Sequence, residues 1–430
     1  MISASWCRAA SLIVLFFSAA FMSVDGHASL APGLTIVGPD GPPTAGQPET
    51  FGCNSPGSFG SGTVTFLVTA TGKGKSETGS VIGNGTSNVD YTFVGLSAGT
   101  YAAHCTSGGA SSNIIDFTIA KYQGNAPTYF GFYDSDYDPP FPDETAATST
   151  FANTVWIGCT TPAACSTALQ EAQADHMYAI VAFFSPPALL APGYTAAAFK
   201  SWTNAWDANW NNYLSIFKTY STNGTIAAFY PYDEPFASEW TSGNQAAATT
   251  AELNYAGSSI HGTISGSKVA TTLTGANTFT YFTHGQNIIP LDLDWIGIDI
   301  YSCWSSCSDM NNVLTEPYTW YFSTLEANLS ANQKIMLLPA SSIYHNSTYQ
   351  EWQADVPASE WQPIVTSNAA IVQNILNLGV ADYTHVIGEF GFMYQTWNVP
   401  GNQVWIGADD PSMTTMLNVL TNFGENIMNR

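Results

Sequence analysis

Two hydrophobic rhythms divide the chain. From about Leu34 to Tyr122, short runs rich in β-branched and aromatic residues alternate with Gly/Ser/Asn turns. Thr63–Val68, Tyr91–Val94 and Ile114–Ile119 are the clearest of these runs. Closely spaced short strands with turn signals between them predict an all-β sandwich over residues 33–122. From Gly124 onward, near-continuous apolar runs alternate with helical stretches. Strands are expected at 128–133, 154–158, 178–184, 225–230, 268–273, 295–300, 334–338 and 385–389. Helices are expected at 165–174, 195–219, 246–260 and 361–378, and a last one at 412–428. Apolar strands alternating with helices indicate a parallel sheet covered on both faces. The number of such units predicts an α/β chain with a (β/α)8 TIM barrel over residues 125–430. A doubly wound open sheet is the weaker alternative, because no Gly-rich phosphate loop follows the first strand.

Ahead of both regions, Arg8 precedes the apolar run Ala9–Met22, and Gly26-His27-Ala28 follows. A positive residue, a short apolar run and small residues predict a secretory signal over 1–28, cut after Ala28, and hence a secreted protein. The run is shorter than the roughly 20 residues a spanning helix needs, and no later segment is expected to insert in a membrane. Six cysteines remain beyond it, and spacing favours the pairs Cys53–Cys105, Cys159–Cys165 and Cys303–Cys307. Sequons at Asn84, Asn223, Asn328 and Asn346 would carry glycans only in a eukaryotic secretory pathway. Gly99-Thr100-Tyr101-Ala102-Ala103-His104-Cys105, with Cys53 on an earlier strand, resembles the late strand of an immunoglobulin-like domain. Its tyrosine stands four residues before the cysteine rather than two, and the buried tryptophan of antibody domains is absent. For this module a spacer or stabilising role is favoured over carbohydrate binding.

Charge narrows the partners. The chain of 430 residues holds 9 Lys+Arg against 32 Asp+Glu, a formal net charge of −23, and only 10% of its residues are charged. Arg8 and Arg430 are its only arginines. Nucleic-acid binding needs Lys and Arg to displace counterions and is excluded on that ground. Phosphorylated substrates are disfavoured for the same reason. The expected partner is uncharged, and the chain is expected to act as a monomer without a cofactor. No metal site is expected: Cys303 and Cys307 have ligand-like spacing, but no matching His pair accompanies them. No Gly-x-Ser-x-Gly elbow marks a serine esterase.

A barrel of this kind carries its active site at the C-terminal ends of its strands. There the few acidic residues stand out. Strand four runs into Pro231-Tyr232-Asp233-Glu234-Pro235, strand six carries Asp299 before Tyr301, strand eight carries Glu389, and strand one ends in Tyr133-Asp134-Ser135-Asp136. Ionised carboxylates at the ends of apolar strands are costly unless paired or put to use.

Asp233-Glu234-Pro235 after an apolar, aromatic strand resembles the acid/base signature of the large retaining clan of (β/α)8 glycoside hydrolases, where Asn-Glu-Pro is common. Glu389, in Ile-Gly-Glu-Phe-Gly-Phe, resembles that clan's nucleophile strand. The resemblance spans roughly residues 125–430. It implies a hydrolase that cleaves a neutral poly- or oligosaccharide, with Glu234 as acid/base and Glu389 as nucleophile. Two features depart from the pattern: position 233 is Asp rather than Asn, and Glu389 belongs to strand eight rather than seven. Asp299 is the alternative second carboxylate. Retention is favoured over inversion, and the two carboxyls must then stand about 5 Å apart rather than roughly 6.5–9.5 Å.

Further residues expected to shape the sugar site are Asp134, Tyr232, Asp233, Asp299, Tyr301, Trp304, His345, Tyr394 and Trp397. Aromatic planes pack on the C–H faces of sugars, while carboxylates and hydroxyls take their hydrogen bonds. Tyr133, Tyr137, Phe141, Phe184, Tyr194 and Tyr344 are further aromatic candidates. A non-catalytic extracellular carbohydrate-binding protein is the rival function. Because so few bases balance the carboxylates, activity and stability are expected to be greatest in acid.

Overall fold

The computed structural model describes residues 33–39, 43, 45, 49–72, 76–83, 85–93, 96–120, 124–136, 147–183, 195–236, 243–274, 281–300, 315–346, 358–399 and 403–428. The expected signal peptide, Tyr301, Trp304 and the Cys303–Cys307 pair lie outside them. So do Tyr137, Phe141, Phe184, Tyr194 and the sequon residue Asn84.

The N-terminal region is built of antiparallel strands in two sheets. One contains β1 (Thr35–Val37), β2 (Glu49–Asn54) and β5 (Asn88–Phe93). The other orders β4 (Glu77–Ile82), β3 (Thr63–Ala70), β6 (Gly99–Ser107) and β7 (Ala110–Ser111), with β8 (Ile115–Ile119) also on β6. Along β3 the inward positions Val64, Phe66 and Val68 are buried, while Thr63, Thr65 and Leu67 are not, the period-two pattern of a one-sided strand. Phe51, Cys53, Tyr101, Ala103 and Cys105 join those three in one core. The Cys53–Cys105 disulfide links β2 to β6 and so ties the two sheets together. The Tyr101 hydroxyl donates to the Ser97 carbonyl at 2.9 Å.

Eight parallel strands follow: β9 (Tyr129–Asp136), β10 (Thr154–Gly158), β11 (Tyr178–Ala182), β12 (Ile226–Tyr230), β13 (Ala270–Thr274), β14 (Trp295–Ile300), β15 (Lys334–Pro339) and β17 (Val386–Gly391). Each pairs with its sequence neighbours, β17 pairs back onto β9, and a parallel bridge between Phe229 and Val269 joins β12 to β13. The sheet is therefore a closed barrel. Helices Pro162–Ala174, Ala196–Thr222, Gly243–Thr263, Thr315–Asn328 and Ala358–Ala381 connect successive strands. Thr161 and Thr195 cap the first two, accepting from the amides of Ala164 and Ala198. Helix Ala196–Thr222 lays a stacked ladder of Trp202, Trp206 and Trp210 on the barrel, because residues four apart share one face.

Alternation along each strand separates two cores. Inside the barrel lie Tyr133, Trp156, Ile180, Ala182, Ala228, Tyr230, Ala270, Trp295, Met336, Leu338 and Phe390. Their neighbours Phe132, Ile157, Val181, Phe229, Leu273, Ile298, Leu337 and Val386 face the helices. A small antiparallel sheet absent from the sequence expectations also forms. Its strands, Ile343–Asn346, Gln403–Ile406 and Trp397–Val399, follow the C-terminal ends of β15 and β17.

At the N-terminal ends of the strands, burial alone would raise Asp294. Bonds from His261, Lys268 and the Val269 amide outweigh that and hold its carboxyl below the usual range. The chain ends on Thr414–Asn422, followed by a π-helical turn over Phe423–Ile427. These pack against the N-terminal module: the Ala98 amide donates to Asn426 at 3.4 Å, and Asn418 donates to Glu77. One later segment does meet the length and apolarity of a spanning helix, contrary to expectation: Gln362–Ala381, of mean hydropathy 1.3. Its apolar face covers the outer side of the barrel, where Val365, Ala369, Val372 and Leu376 are buried.

Candidate active site

The C-terminal mouth of the barrel is floored by aromatic rings. Tyr133 packs edge-on to Trp156 at 4.8 Å and to Tyr230 at 6.0 Å, while Trp156 meets Tyr230 at 5.0 Å and Phe390 at 5.1 Å. Phe392 completes the layer 5.6 Å from Tyr133. These residues sit at the last inward positions of β9, β10, β12 and β17, where a strand with both faces buried places large rings across the barrel.

Two acidic residues from different strands meet above this floor. Asp299 occupies the inward C-terminal position of β14 and is 3% exposed. Glu234 lies four residues past β12, half-buried, with Asp299 and Asp233 among the groups that act on its carboxyl. Burial pushes the Glu234 carboxyl above its ordinary value, Asp299 works against the rise, and the charge of Asp233 adds to it. Glu234 is also held at φ 42°, a conformation uncommon outside glycine. Strained backbone of that kind persists only where the surroundings over-determine it.

The surroundings are visible. Asp233, exposed beside Glu234, takes bonds on its Oδ1 from the Tyr230 hydroxyl at 2.7 Å and the Thr272 hydroxyl at 3.1 Å. Tyr230 and Thr272 also bond one another. Burial, and then the charge of Asp233, push the Tyr230 phenol well above its usual range, so it stays a neutral donor. Behind the strand, the Thr271 hydroxyl donates to the Tyr232 carbonyl at 2.9 Å.

Other residues expected at the site lie elsewhere. Glu389 is on β17, but at an outward position between the inward Gly388 and Phe390 pair of that strand. It is fully buried against helix Ala358–Ala381, where Gly379 leaves room for its carboxyl. Neither oxygen has a hydrogen-bond partner among the described residues, and burial pushes the carboxyl well above the ordinary range. Glu389 therefore faces the helical layer rather than the mouth where it was expected. Tyr232 is corrected as well: it points outward and stacks on Trp202 at 6.3 Å. Tyr394 belongs to the outer core too, packed on Phe132 at 5.0 Å and Phe151 at 6.3 Å. The backbones of Asp134, Tyr344, His345 and Trp397 follow β9, Ile343–Asn346 and Trp397–Val399, but their side chains lie outside what is described.

Thr271 and Thr272 were missed. They are the polar pair in the strand Ala-Thr-Thr-Leu-Thr, and hydroxyls on a barrel strand with both faces buried are a readable signal. One cluster with metal-ligand donors occurs among the described residues: Glu326, Asp382 and His385. It lies at the N-terminal end of β17, away from the mouth, and His385 bonds both acids, at 2.8 Å to Asp382 and 3.3 Å to Glu326.

No protein-family model and no curated protein sequence matches this chain. Among solved structures, it is similar to a Bifidobacterium dentium β-glucuronidase complexed with coumarin-3-O-glucuronide, at 11% identity and TM-score 0.44, covering 91% of this chain and 66% of that one. A Bacteroides uniformis β-glucuronidase aligns at 11% identity and TM-score 0.39, covering 84% of this chain and 45% of that one. A family 1 β-glucosidase from Thermotoga maritima aligns at 9% identity and TM-score 0.42, covering 66% of this chain and 86% of that one.

Proposed function

We propose that the protein is a secreted glycoside hydrolase whose two working carboxyls are Glu234 and Asp299. The observation that carries this is the placement of both acids at the C-terminal ends of the fourth and sixth barrel strands, above an aromatic floor, with Asp299 acting on the Glu234 carboxyl. Glu234, its carboxyl raised by burial, is the general acid that protonates the departing glycosidic oxygen. Asp299, at a rigid strand end, is the carboxylate that faces the anomeric carbon. A substrate entering between them takes over both groups. A separation of about 5 Å between the two carboxyls serves retention, and one of roughly 6.5–9.5 Å serves inversion. Asp233 keeps one oxygen anchored and turns its other edge to the mouth, where it accepts from a sugar hydroxyl.

The substrate is a neutral glycan. None of the connections that follow the barrel strands contains Lys or Arg, whereas the same connections hold Asp138, Asp143, Glu144, Glu239, Asp309, Glu351, Asp355, Asp409 and Asp410. Lys268 and Lys334 stand at the opposite end, bonded to Asp294 and to the Thr384 carbonyl. Among the described residues the charged groups at the site are Asp233, Glu234 and Asp299, and acids without a cation beside them repel uronates and phosphosugars. Glycan release by the purified protein, lost in E234Q, tests the assignment.

The N-terminal region is in this reading an immunoglobulin-like module that braces the last helices of the barrel. The inter-sheet disulfide, the Tyr101–Ser97 bond and the contacts to Asn418 and Asn426 support it. The disulfides Cys53–Cys105 and Cys159–Cys165 support an oxidising, extracellular setting.

A further inference from the structure

The barrel seam beside the proposed acid is closed in an unusual way. At the N-terminal half, β12 and β13 are joined by backbone: the Phe229 amide donates to the Lys268 carbonyl at 2.8 Å, and Phe229 bridges Val269. Beyond that point the two strands keep their ladders with their outer neighbours. Tyr230 stays paired with β11, through the Phe183 amide at 3.0 Å, and Thr271–Thr274 stay paired with β14. Among the described residues, the bonds that cross the upper seam come from side chains. Thr272, on the inner face of β13, reaches Asp233 and Tyr230, and Thr271, on the outer face, reaches the Tyr232 carbonyl.

Adjacent residues of a strand point to opposite faces, so the two hydroxyls hold the turn from both sides. Between the two anchored residues and Pro235 stands Glu234, at its positive φ. We infer that Thr271 and Thr272 form a two-sided clamp that fixes the Tyr232-Asp233-Glu234 turn, and that Thr272, through Asp233, is a positioning residue for the acid. It touches no reacting atom. It holds the Asp233 carboxylate beside Glu234, where its charge adds to the rise that burial causes in the Glu234 carboxyl.

This rests on the hydrolase reading only for its consequence in turnover; the effect on Glu234 itself does not need a substrate. The groups facing Glu234 among the described residues are Asp299 from β14 and Asp233 from its own turn, with the Tyr230 phenol bonded to the latter. With the Thr272 bond removed, only the Tyr230 hydroxyl still fixes Asp233, so its carboxylate is held less firmly beside Glu234 and its charge acts more through water, where it counts for less.

The test follows the Glu234 carboxyl by carbon NMR of the full chain labelled at glutamate, with E234Q to assign the signal. T272V is expected to lower the Glu234 midpoint by about half a pH unit or more, and T272S to restore it. Y230F, which removes the other bond to Asp233 without opening the strand, is expected to move the midpoint the same way, and serves if T272V does not fold. With an active protein, T272V lowers kcat about tenfold with KM within about twofold. An unchanged Glu234 midpoint in both T272V and Y230F overturns the clamp. Wild-type protein that cleaves no glycan overturns the hydrolase reading alone, because the titration is read without turnover.

Discussion

The carboxyl of Glu389 rests against the bare α-carbon of Gly379, so closely that a Cβ at position 379 would overlap Oε1. An acid on the barrel strand and a glycine on the covering helix thus fit as one unit. This contact removes Glu389 from the mouth, and it explains the glycine in the last turn of helix Ala358–Ala381.

The contact predicts strong coupling between the two positions. G379A is expected to destabilise the protein by about 1–3 kcal/mol, since the added methyl overlaps the buried Glu389 side chain and forces it to move. In an E389A background the same change should cost far less, because the methyl then enters the space vacated. Urea unfolding of the four proteins measures this, and additive losses would contradict it.

Glu389 also makes stability depend on pH. Its folded pKa lies above its unfolded value, so its contribution is fully present below the unfolded value of about 4.3 and is lost as pH rises toward the folded one. Within that window stability falls by about 1.4 kcal/mol per pH unit for this one group. The net charge of −23 acts in the same direction through self-repulsion. Thermal unfolding from pH 4 to pH 8 should show a falling midpoint, and E389Q should flatten the slope while keeping activity within about threefold. A wild-type midpoint that rises with pH would contradict the assignment.

Asp233 is expected to set the alkaline limit of activity. Its charge raises Glu234, so D233N should move the basic limb of kcat/KM to lower pH, the acid losing its proton earlier. The pH–rate profiles of wild type and D233N on one substrate decide this; a limb that stays in place or moves up would be the contrary result.

The acidic mouth should discriminate by charge. Aryl glycosides of neutral sugars and of the matching uronic acids differ by one carboxylate. The uronide is expected to react at least 100-fold more slowly in kcat/KM, on the order of 3 kcal/mol of repulsion and unpaired charge. Comparable rates on such a pair would count against a neutral substrate.

Much of the fold is legible in the sequence, and the reason is physical. Barrel strands with both faces buried read as continuous apolar runs, and the run Trp295–Ile300 marks β14 to the residue. That same property hides which face each residue takes. In Val-Ile-Gly-Glu-Phe-Gly nothing in the hydrophobicity says that Phe390 points in and Glu389 out, so a strand-end carboxylate was assigned to the mouth when it belongs to the helical layer. Asp299 sits on an equally apolar strand, but at an inward position, and only the alternation fixed by packing separates the two. Tyr394 follows the end of a strand as a sugar-binding ring would, yet it finds more contact on Phe132 and Phe151. Glu234 was legible because its turn, with proline on both sides, leaves the strand where only the mouth is available.

The pairing of Glu234 with Asp299 is tested most directly by reducing-sugar release from a panel of neutral polysaccharides, with wild type, E234Q, D299N and E389Q compared at equal folded concentration. Release by wild type and E389Q, with E234Q and D299N each slower by about a thousandfold, is the predicted outcome. Full activity in E234Q or D299N, or loss of activity in a folded E389Q, would contradict it.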